Sequence, residues 1–121
     1  MITISKLRII NYVAYSEKHF LAKGHRDAVN DVKFFPDGHY LASASHDTTI
    51  RIWQTETGAC AMILDDSVGV VTKLCYSPLE GHMISISGPG NFVSVWNTTS
   101  YVVEKVLEAD NGTEIQVYIL Q

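Results

Sequence analysis

The sequence predicts an all-β protein built from repeated four-stranded units, and three observations support this fold class. Apolar and polar residues alternate in short runs rich in β-branched side chains, as in Ile50-Arg51-Ile52 and Val93-Ser94-Val95. Turn-forming pairs such as Asp37-Gly38 interrupt these runs, because glycine tolerates the positive φ that tight hairpins need. The same succession of runs and turns recurs along the chain, and no segment sustains a helical period.

The repeat has a period of 42 to 43 residues. The segment LASASHDTTIRIW (41–53) lies over ISISGPGNFVSVW (84–96) at an offset of 43. VNDVKFFP (29–36) lies over VTKLCYSP (71–78) at an offset of 42, so we assign the extra residue to the turn at 78–82. A weaker third copy contains LRIIN, residues 7–11. This period is typical of the four-stranded blades of a propeller.

Turn signals bound each strand, so the strands can be assigned in chain order. The predicted organisation is a partial blade over 1–23, a complete blade over 24–65, a complete but degenerate blade over 66–110, and the first strand of a further blade over 111–121. The predicted strands cover 4–13, 18–22, 29–36, 41–45, 49–54, 59–64, 71–78, 83–87, 92–97, 101–107 and 113–120.

The composition is that of a folded, weakly charged domain. Of its 121 residues, 46% are hydrophobic and 18% are charged, which is too apolar for a disordered chain. A formal net charge of −4, with scattered lysines and arginines, argues against general nucleic-acid binding. The sequence shows no apolar run of bilayer length, no secretory signal and no disulfide framework. We therefore expect no membrane contact and a cytoplasmic protein, with the nucleus as the alternative.

Several motifs of the first complete blade resemble the WD-repeat family. They are Gly24-His25 before the first strand, the turn Phe35-Pro36-Asp37-Gly38, and the stretch from Leu41 that ends at Trp53. The resemblance is strong over 24–64 and moderate over 66–107. It implies a partial β-propeller, whose antiparallel blades pack face to face around a central axis.

The resemblance also implies a buried, hydrogen-bonded tetrad. Its members would be His25, a serine of the second strand (Ser43 or Ser45), Asp47 and Trp53. An indole only donates and a carboxylate only accepts, so an imidazole and a hydroxyl can relay hydrogen bonds between them. Such a network would fix the loop before the first strand against the turn between strands two and three.

The second blade departs from this pattern. The alignment places Ser67 at the position of His25 and Gly90 at that of Asp47, while Ile86 and Gly88 replace the two serines. Only Trp96 would then survive from the tetrad, so we expect packing alone to hold this blade together.

The residues that could carry catalysis or bind a metal form no recognisable motif. The five histidines lack the spacing of a zinc site, no G-x-S-x-G elbow is present, and no glycine-rich loop precedes a helix. We therefore expect no enzyme activity, no cofactor and no metal.

Binding of other proteins or peptides is the function that the resemblance implies. Propellers of this family commonly act as scaffolds, and dock partners on the loops before the first strand and on the turns between strands two and three. The matching positions in the two blades are Ala28, Asn30, His46, Val70, Thr72 and Pro89.

The length implies an incomplete ring. Three blades cannot close a propeller, so we expect a fragment or truncated form of a larger protein, or self-association through exposed blade faces. The stretch from LCYSP to NGTEIQVYILQ is also similar to the C-terminal propeller of apoptotic protease-activating factors. This second resemblance implies an alternative function, that of a sensor or regulatory propeller in an oligomerising signalling protein.

Overall fold

The computed structural model describes residues 6–10, 19–65, 69–77, 81–90 and 92–108, with side chains described from residue 24 onward. The strand predicted at 113–120 and the position of Ser67 lie outside these residues. Among the described residues all regular structure is β, and no helix long and apolar enough to cross a membrane is found there. The predicted all-β class is confirmed.

The described residues form ten strands in three antiparallel sheets. A pair, β1-β2, is followed by a first four-stranded sheet in the order β3-β4-β5-β6 and a second in the order β7-β8-β9-β10. We refer to the two four-stranded sheets as blade A and blade B. The strands are β1 (Lys6–Ile10), β2 (His19–Lys23), β3 (Val29–Phe34), β4 (Tyr40–Ser45), β5 (Thr49–Gln54), β6 (Cys60–Asp65), β7 (Val70–Ser77), β8 (His82–Gly88), β9 (Phe92–Asn97) and β10 (Val103–Glu108).

The turn between β3 and β4 shows why the chain reverses at the predicted Asp-Gly pair. Gly38 has a φ of 76°, in the left-handed region that glycine adopts without a steric penalty. Its N–H donates to the carbonyl of Phe35 at 2.8 Å, and Asp37 Oδ1 accepts from the N–H of His39 at 2.9 Å. The turn is thus closed by its own backbone and by one short side chain.

The position of the extra residue in the second repeat differs from the prediction. Trp53 pairs with Leu41, whereas Trp96 pairs with Met83 and not with Ile84. The offset between the repeats is therefore 42 throughout β7 and β8, and it becomes 43 only in β9. The extra residue lies between β8 and β9, and the prediction of an insertion at 78–82 is wrong.

The main cluster of buried apolar side chains lies between the two blades. Cross-strand pairing puts Trp53 on one face of blade A, and puts Ala42 opposite Ile52 on the other face. The second face packs against the face of blade B that carries Trp96. The tryptophan faces of the two blades therefore point in the same direction along the stack. Burying these side chains stabilises the pair at roughly 25 cal/mol for each Å² of apolar surface removed from water. The buried cluster consists of Ala42, Ala44, Ile50, Ile52, Leu64, Val71, Leu74, Met83 and Trp96.

Hydrogen bonds also cross between the blades. Asp31 Oδ2 accepts from the backbone N–H of buried Leu74 at 2.9 Å, and Asn30 Nδ2 donates to the carbonyl of Val71 at 2.9 Å. Asp31 follows a register irregularity in β3, and Leu74 follows a similar one in β7. β3 and β7 each lie at the edge of their sheet, so backbone groups on the open edge of β7 can bond to the neighbouring blade.

Candidate functional site

A chain of hydrogen bonds joins four side chains of blade A. Trp53 Nε1 donates to Ser43 Oγ at 2.9 Å, and His25 Nε2 lies 2.5 Å from the same oxygen. His25 Nδ1 lies 2.8 Å from Asp47 Oδ2. The entry loop before β3 supplies His25, β4 supplies Ser43, the β4–β5 turn supplies Asp47 and β5 supplies Trp53.

The chemistry of these groups limits the direction of each bond. Trp53 can only donate, so Ser43 Oγ accepts from it, and the Asp47 carboxylate accepts from His25 Nδ1–H. A hydroxyl can accept twice, so Ser43 either donates to an unprotonated His25 Nε2 or accepts from a protonated one. A neutral His25 satisfies every bond in the chain. A protonated His25 would leave the Ser43 hydrogen without an acceptor in this chain.

Burial agrees with this protonation state. His25 is 1% exposed, and desolvation lowers the pKa of its imidazole below 6.5 despite the hydrogen bond to Asp47. Burial alone would raise the pKa of Asp47. Hydrogen bonds from Thr49, from the N–H of Arg26 and from His25 outweigh it, and they hold the pKa of that carboxyl well below its usual range.

The Asp47 carboxylate ties the entry loop to the turn. Oδ2 accepts from the N–H of Arg26 at 3.0 Å, while Oδ1 accepts from the N–H and the hydroxyl of Thr49 at 2.9 and 2.6 Å. Sequence reasoning missed Thr49. The Asp-x-Thr spacing was the available signal, because an aspartate readily bonds to the backbone two residues on.

Ser45, the other serine considered for the tetrad, lies beside the chain of bonds and not within it. Its hydroxyl donates to the carbonyl of Ala28 at 2.9 Å and accepts from the N–H of Asp47 at 3.0 Å. Ser45 therefore supports the same loop and turn through their backbones.

The order Ser43–His25–Asp47 is that of a nucleophile, its base and the orienting carboxylate of a hydrolase. Ser43 is fully buried, however, and its oxygen already accepts from Trp53. A substrate carbonyl cannot reach this hydroxyl without opening the blade, so the arrangement serves to hold the loop. Among the described residues, no group of three or more His, Cys, Asp or Glu could hold a metal ion.

Blade B keeps more of the pattern than the alignment suggested. Trp96 Nε1 donates to Ser85 Oγ at 2.9 Å, which repeats the bond from Trp53 to Ser43. The serines of blade A therefore correspond to Ser85 and Ser87, and the prediction of Ile86 and Gly88 at these positions is wrong. Gly90 lies in the β8–β9 turn, where blade A has Asp47 in the β4–β5 turn, so this turn has no matching carboxylate.

The six residues predicted to bind partners lie at the end of the blades where the tetrad is found. His46 is exposed, and its Nδ1 lies 2.9 Å from Asn30 Oδ1. Asn30 in turn donates to the carbonyl of Val71, so it is anchored to blade B. Thr72 is exposed and donates to the carbonyl of Ile86 at 3.1 Å. Of the other three, Ala28 and Val70 are half-buried and Pro89 is exposed.

Comparison with known proteins finds a matching family model and several similar proteins. Residues 16–54 match the family model described as WD domain, G-beta repeat. The WD repeat-containing protein 89 homolog of Dictyostelium discoideum is 32% identical over 77 residues, which are 64% of this chain and 20% of the relative. Transducin beta-like protein 3 of Rattus norvegicus is 30% identical over 107 residues, which are 87% of this chain and 13% of the relative. The chain thus spans a fifth or less of the length of these two relatives.

A solved structure shows the same fold. The crystal structure of the WD40 beta propeller domain of Doa1 matches with a TM-score of 0.65 and 24% identity, over 75% of this chain and 30% of that chain. The predicted partial β-propeller is confirmed, while the resemblance to apoptotic protease-activating factors is not supported. The family model and the relatives together support the WD-repeat family as the family of this chain.

Proposed function

We propose that this chain is a protein-interaction module that docks a protein or peptide on the tetrad end of its blades. The fold is one that generally acts as a non-enzymatic scaffold, which supports the general class of function. The docking surface of the proposal consists of Ala28, Asn30, His46, Val70, Thr72 and Pro89.

The observation that carries the proposal is the hydrogen-bonded bridge from His46 through Asn30 to Val71. It holds an exposed imidazole of blade A in a fixed position relative to blade B. Donation from Asn30 Nδ2 to Val71 sets the orientation of the amide, so that Oδ1 faces His46 Nδ1. The exposed ring is thereby pre-oriented, which lowers the entropic cost of binding a partner there.

The tetrad supports this surface from below. Asp47 fixes the turn that follows His46, and Ser45 fixes the carbonyl of Ala28. Binding residues on loops need such a rigid scaffold, because a mobile loop loses more entropy when it binds.

Completion of the ring is a further part of the proposal. Closed propellers have about four to eight blades, and the described residues contain two four-stranded blades and the strand pair β1-β2. We propose that further blades, from a longer chain or from other copies, cover the remaining faces. A cytoplasmic or nuclear location also belongs to this proposal.

Site-specific photo-crosslinking in cells tests the docking surface. A photoreactive amino acid replaces His46 or Thr72, and, as a control, Glu56 in the exposed β5–β6 turn. We expect the same protein to be captured from both docking positions and not from position 56. An Asn30→Ala chain should compete less well for that protein than the unaltered chain. Equal capture at all three positions, or no capture at 46 and 72, would refute the docking surface.

A further inference from the structure

A cleft opens between the blades at the end opposite the tetrad. The β3–β4 turn forms one wall, with Phe35 and Asp37, and the end of β7 contributes Tyr76. His82, at the start of β8, and Thr98, after β9, form the other wall. The cleft holds about 210 Å³, below the roughly 300–1,000 Å³ of typical small-molecule sites. Its size suits one side chain of a partner better than a cofactor.

Aromatic rings line this cleft. The centroids of Phe35 and Tyr76 lie 4.9 Å apart at an interplanar angle of 55°, and Tyr40 packs on Phe35 at 5.5 Å. The Tyr76 hydroxyl donates to the carbonyl of Lys33 at 3.3 Å, which fixes its ring across the blade interface. All three residues are half-buried, and Phe35 and Tyr76 line the cleft.

The charge at the cleft is negative. Asp37 is exposed, and its only hydrogen bond among the described residues is the one that it accepts from the N–H of His39. Beyond His82, the carboxylate of Glu104 lies 2.7 Å from His82 Nε2. Lysine and arginine are absent from the residues found to line the cleft. Negative charge beside aromatic faces is the environment that attracts an organic cation.

We propose that this cleft binds an arginine side chain of a partner protein. The planar guanidinium stacks on the Phe35 and Tyr76 rings and donates to the Asp37 carboxylate. Arginine fits better than lysine, because a guanidinium is more weakly hydrated and can stack while it donates. This surface lies at the other end of the blades from the proposed docking surface, and the two can be tested separately.

Titration of the isotope-labelled full chain with short capped peptides, followed by NMR, tests the proposal. The probes are glycine-serine-arginine-serine-glycine and the same peptide with citrulline or lysine in place of arginine. We expect the arginine peptide to shift the amide signals of Tyr76, Gly81 and Thr98, the lysine peptide to bind more weakly, and the uncharged citrulline peptide to cause no shifts. Equal shifts with citrulline, or no shifts at these amides with arginine, would overturn the proposal.

A pair of variants separates a specific carboxylate from general attraction. Asp37→Asn removes the charge but keeps an oxygen for the His39 N–H, so the turn should still form. Asp65→Asn removes the same charge from an exposed position at the other end of blade A. We expect about threefold to fivefold weaker binding of the arginine peptide by Asp37→Asn and unchanged binding by Asp65→Asn. Equal weakening by both variants would place the peptide elsewhere, and it would leave the docking surface at the tetrad end unaffected.

Discussion

Among the residues of the tetrad, Ser43 has the largest number of buried partners to satisfy. Its hydroxyl accepts from Trp53 and donates to His25, and all three side chains are almost fully buried. Ser85 in blade B satisfies only Trp96 among the described residues. Ser43 and Ser85 occupy matching positions, but Ser43 forms hydrogen bonds with two buried side chains and Ser85 with one.

Replacing these serines should have unequal effects. Ser43→Ala leaves two buried polar groups without a partner, and should lower the free energy of unfolding by about 2–4 kcal/mol. Ser85→Ala leaves one such group and should cost about 1–2 kcal/mol. Urea unfolding of both variants measures the difference. Equal losses would mean that His25 does not depend on Ser43.

The pH dependence of stability follows from His25 and Asp47. The folded-state pKa of His25 lies below its ordinary 6.5, so the unfolded chain binds more protons as the pH falls through 6.5. The stability that neutral His25 provides is complete above pH 6.5 and is lost progressively below it. The pKa of Asp47 is also lowered, so its contribution is lost only below its ordinary 3.8.

Urea unfolding at a series of pH values below 7 tests whether the free energy of unfolding falls as the pH is lowered. The unaltered chain should lose stability as the pH falls below 6.5, until the pH reaches the lowered folded-state pKa of His25. His25→Gln can still donate and accept but does not titrate, so its unfolding free energy should fall less over the same range. A variant with the same slope as the unaltered chain would show that another group titrates.

At the scale of the element, Asp31 links two innermost strands. Its carboxylate accepts a hydrogen bond from the backbone N–H of Leu74. Leu74 is only 3% exposed, so water does not readily replace this acceptor. Asp31→Ala should thus lower the free energy of unfolding by about 1–3 kcal/mol. Asp65→Ala, at an exposed position on the outer strand β6, should stay within about 0.5 kcal/mol. Thermal unfolding of the two variants compares them, and similar melting temperatures would contradict the link.

The strands show what the sequence could predict and where it could not. Period-two runs between turn signals located all the strands of both blades, with boundaries that differ by a few residues at most. The strand predicted from 101 begins only at Val103, because Tyr101 adopts a left-handed φ of 56°.

Register was harder to predict than strand position. In β8, small and aliphatic residues alternate, so the segment matches β4 almost equally well at two offsets. Aligning Ser43 with Ser85 and Ser45 with Ser87 gives the observed register, whereas the tryptophans alone favoured the other one. The bridge from His46 to Asn30 and the cleft at Phe35 depend on which neighbouring blade residues come close. The alternation of apolar and polar residues within one strand does not indicate which residues of the neighbouring blade that strand contacts.

At the scale of the whole molecule, apolar side chains remain exposed on the outer strands. Ile63 in β6 is 51% exposed and Leu107 in β10 is 50% exposed. Neither strand has a hydrogen-bonded neighbour on its outer edge among the described residues. Such edges and patches favour association with other chains.

The chain should therefore self-associate as its concentration rises. Sedimentation velocity should show an increasing weight-average mass, and the double variant Ile63→Lys and Leu107→Lys should reduce the increase by placing charges on both edges. A matched control, Thr57→Lys and Ser100→Lys, adds the same charge at exposed turns. Equal association of the two double variants would rule out the outer strands as the contact.

The stacking of two equivalent blades is the claim on which the bridge and the cleft both depend. A methyl NOE spectrum of the labelled chain tests it most directly, because cross-peaks arise only between methyl groups that lie close together in space. We predict cross-peaks that join Ala42 or Ala44 of β4 with Val71 or Leu74 of β7. A folded chain that lacks these cross-peaks, with its β4 methyl groups in contact only with blade A, would contradict the stacking.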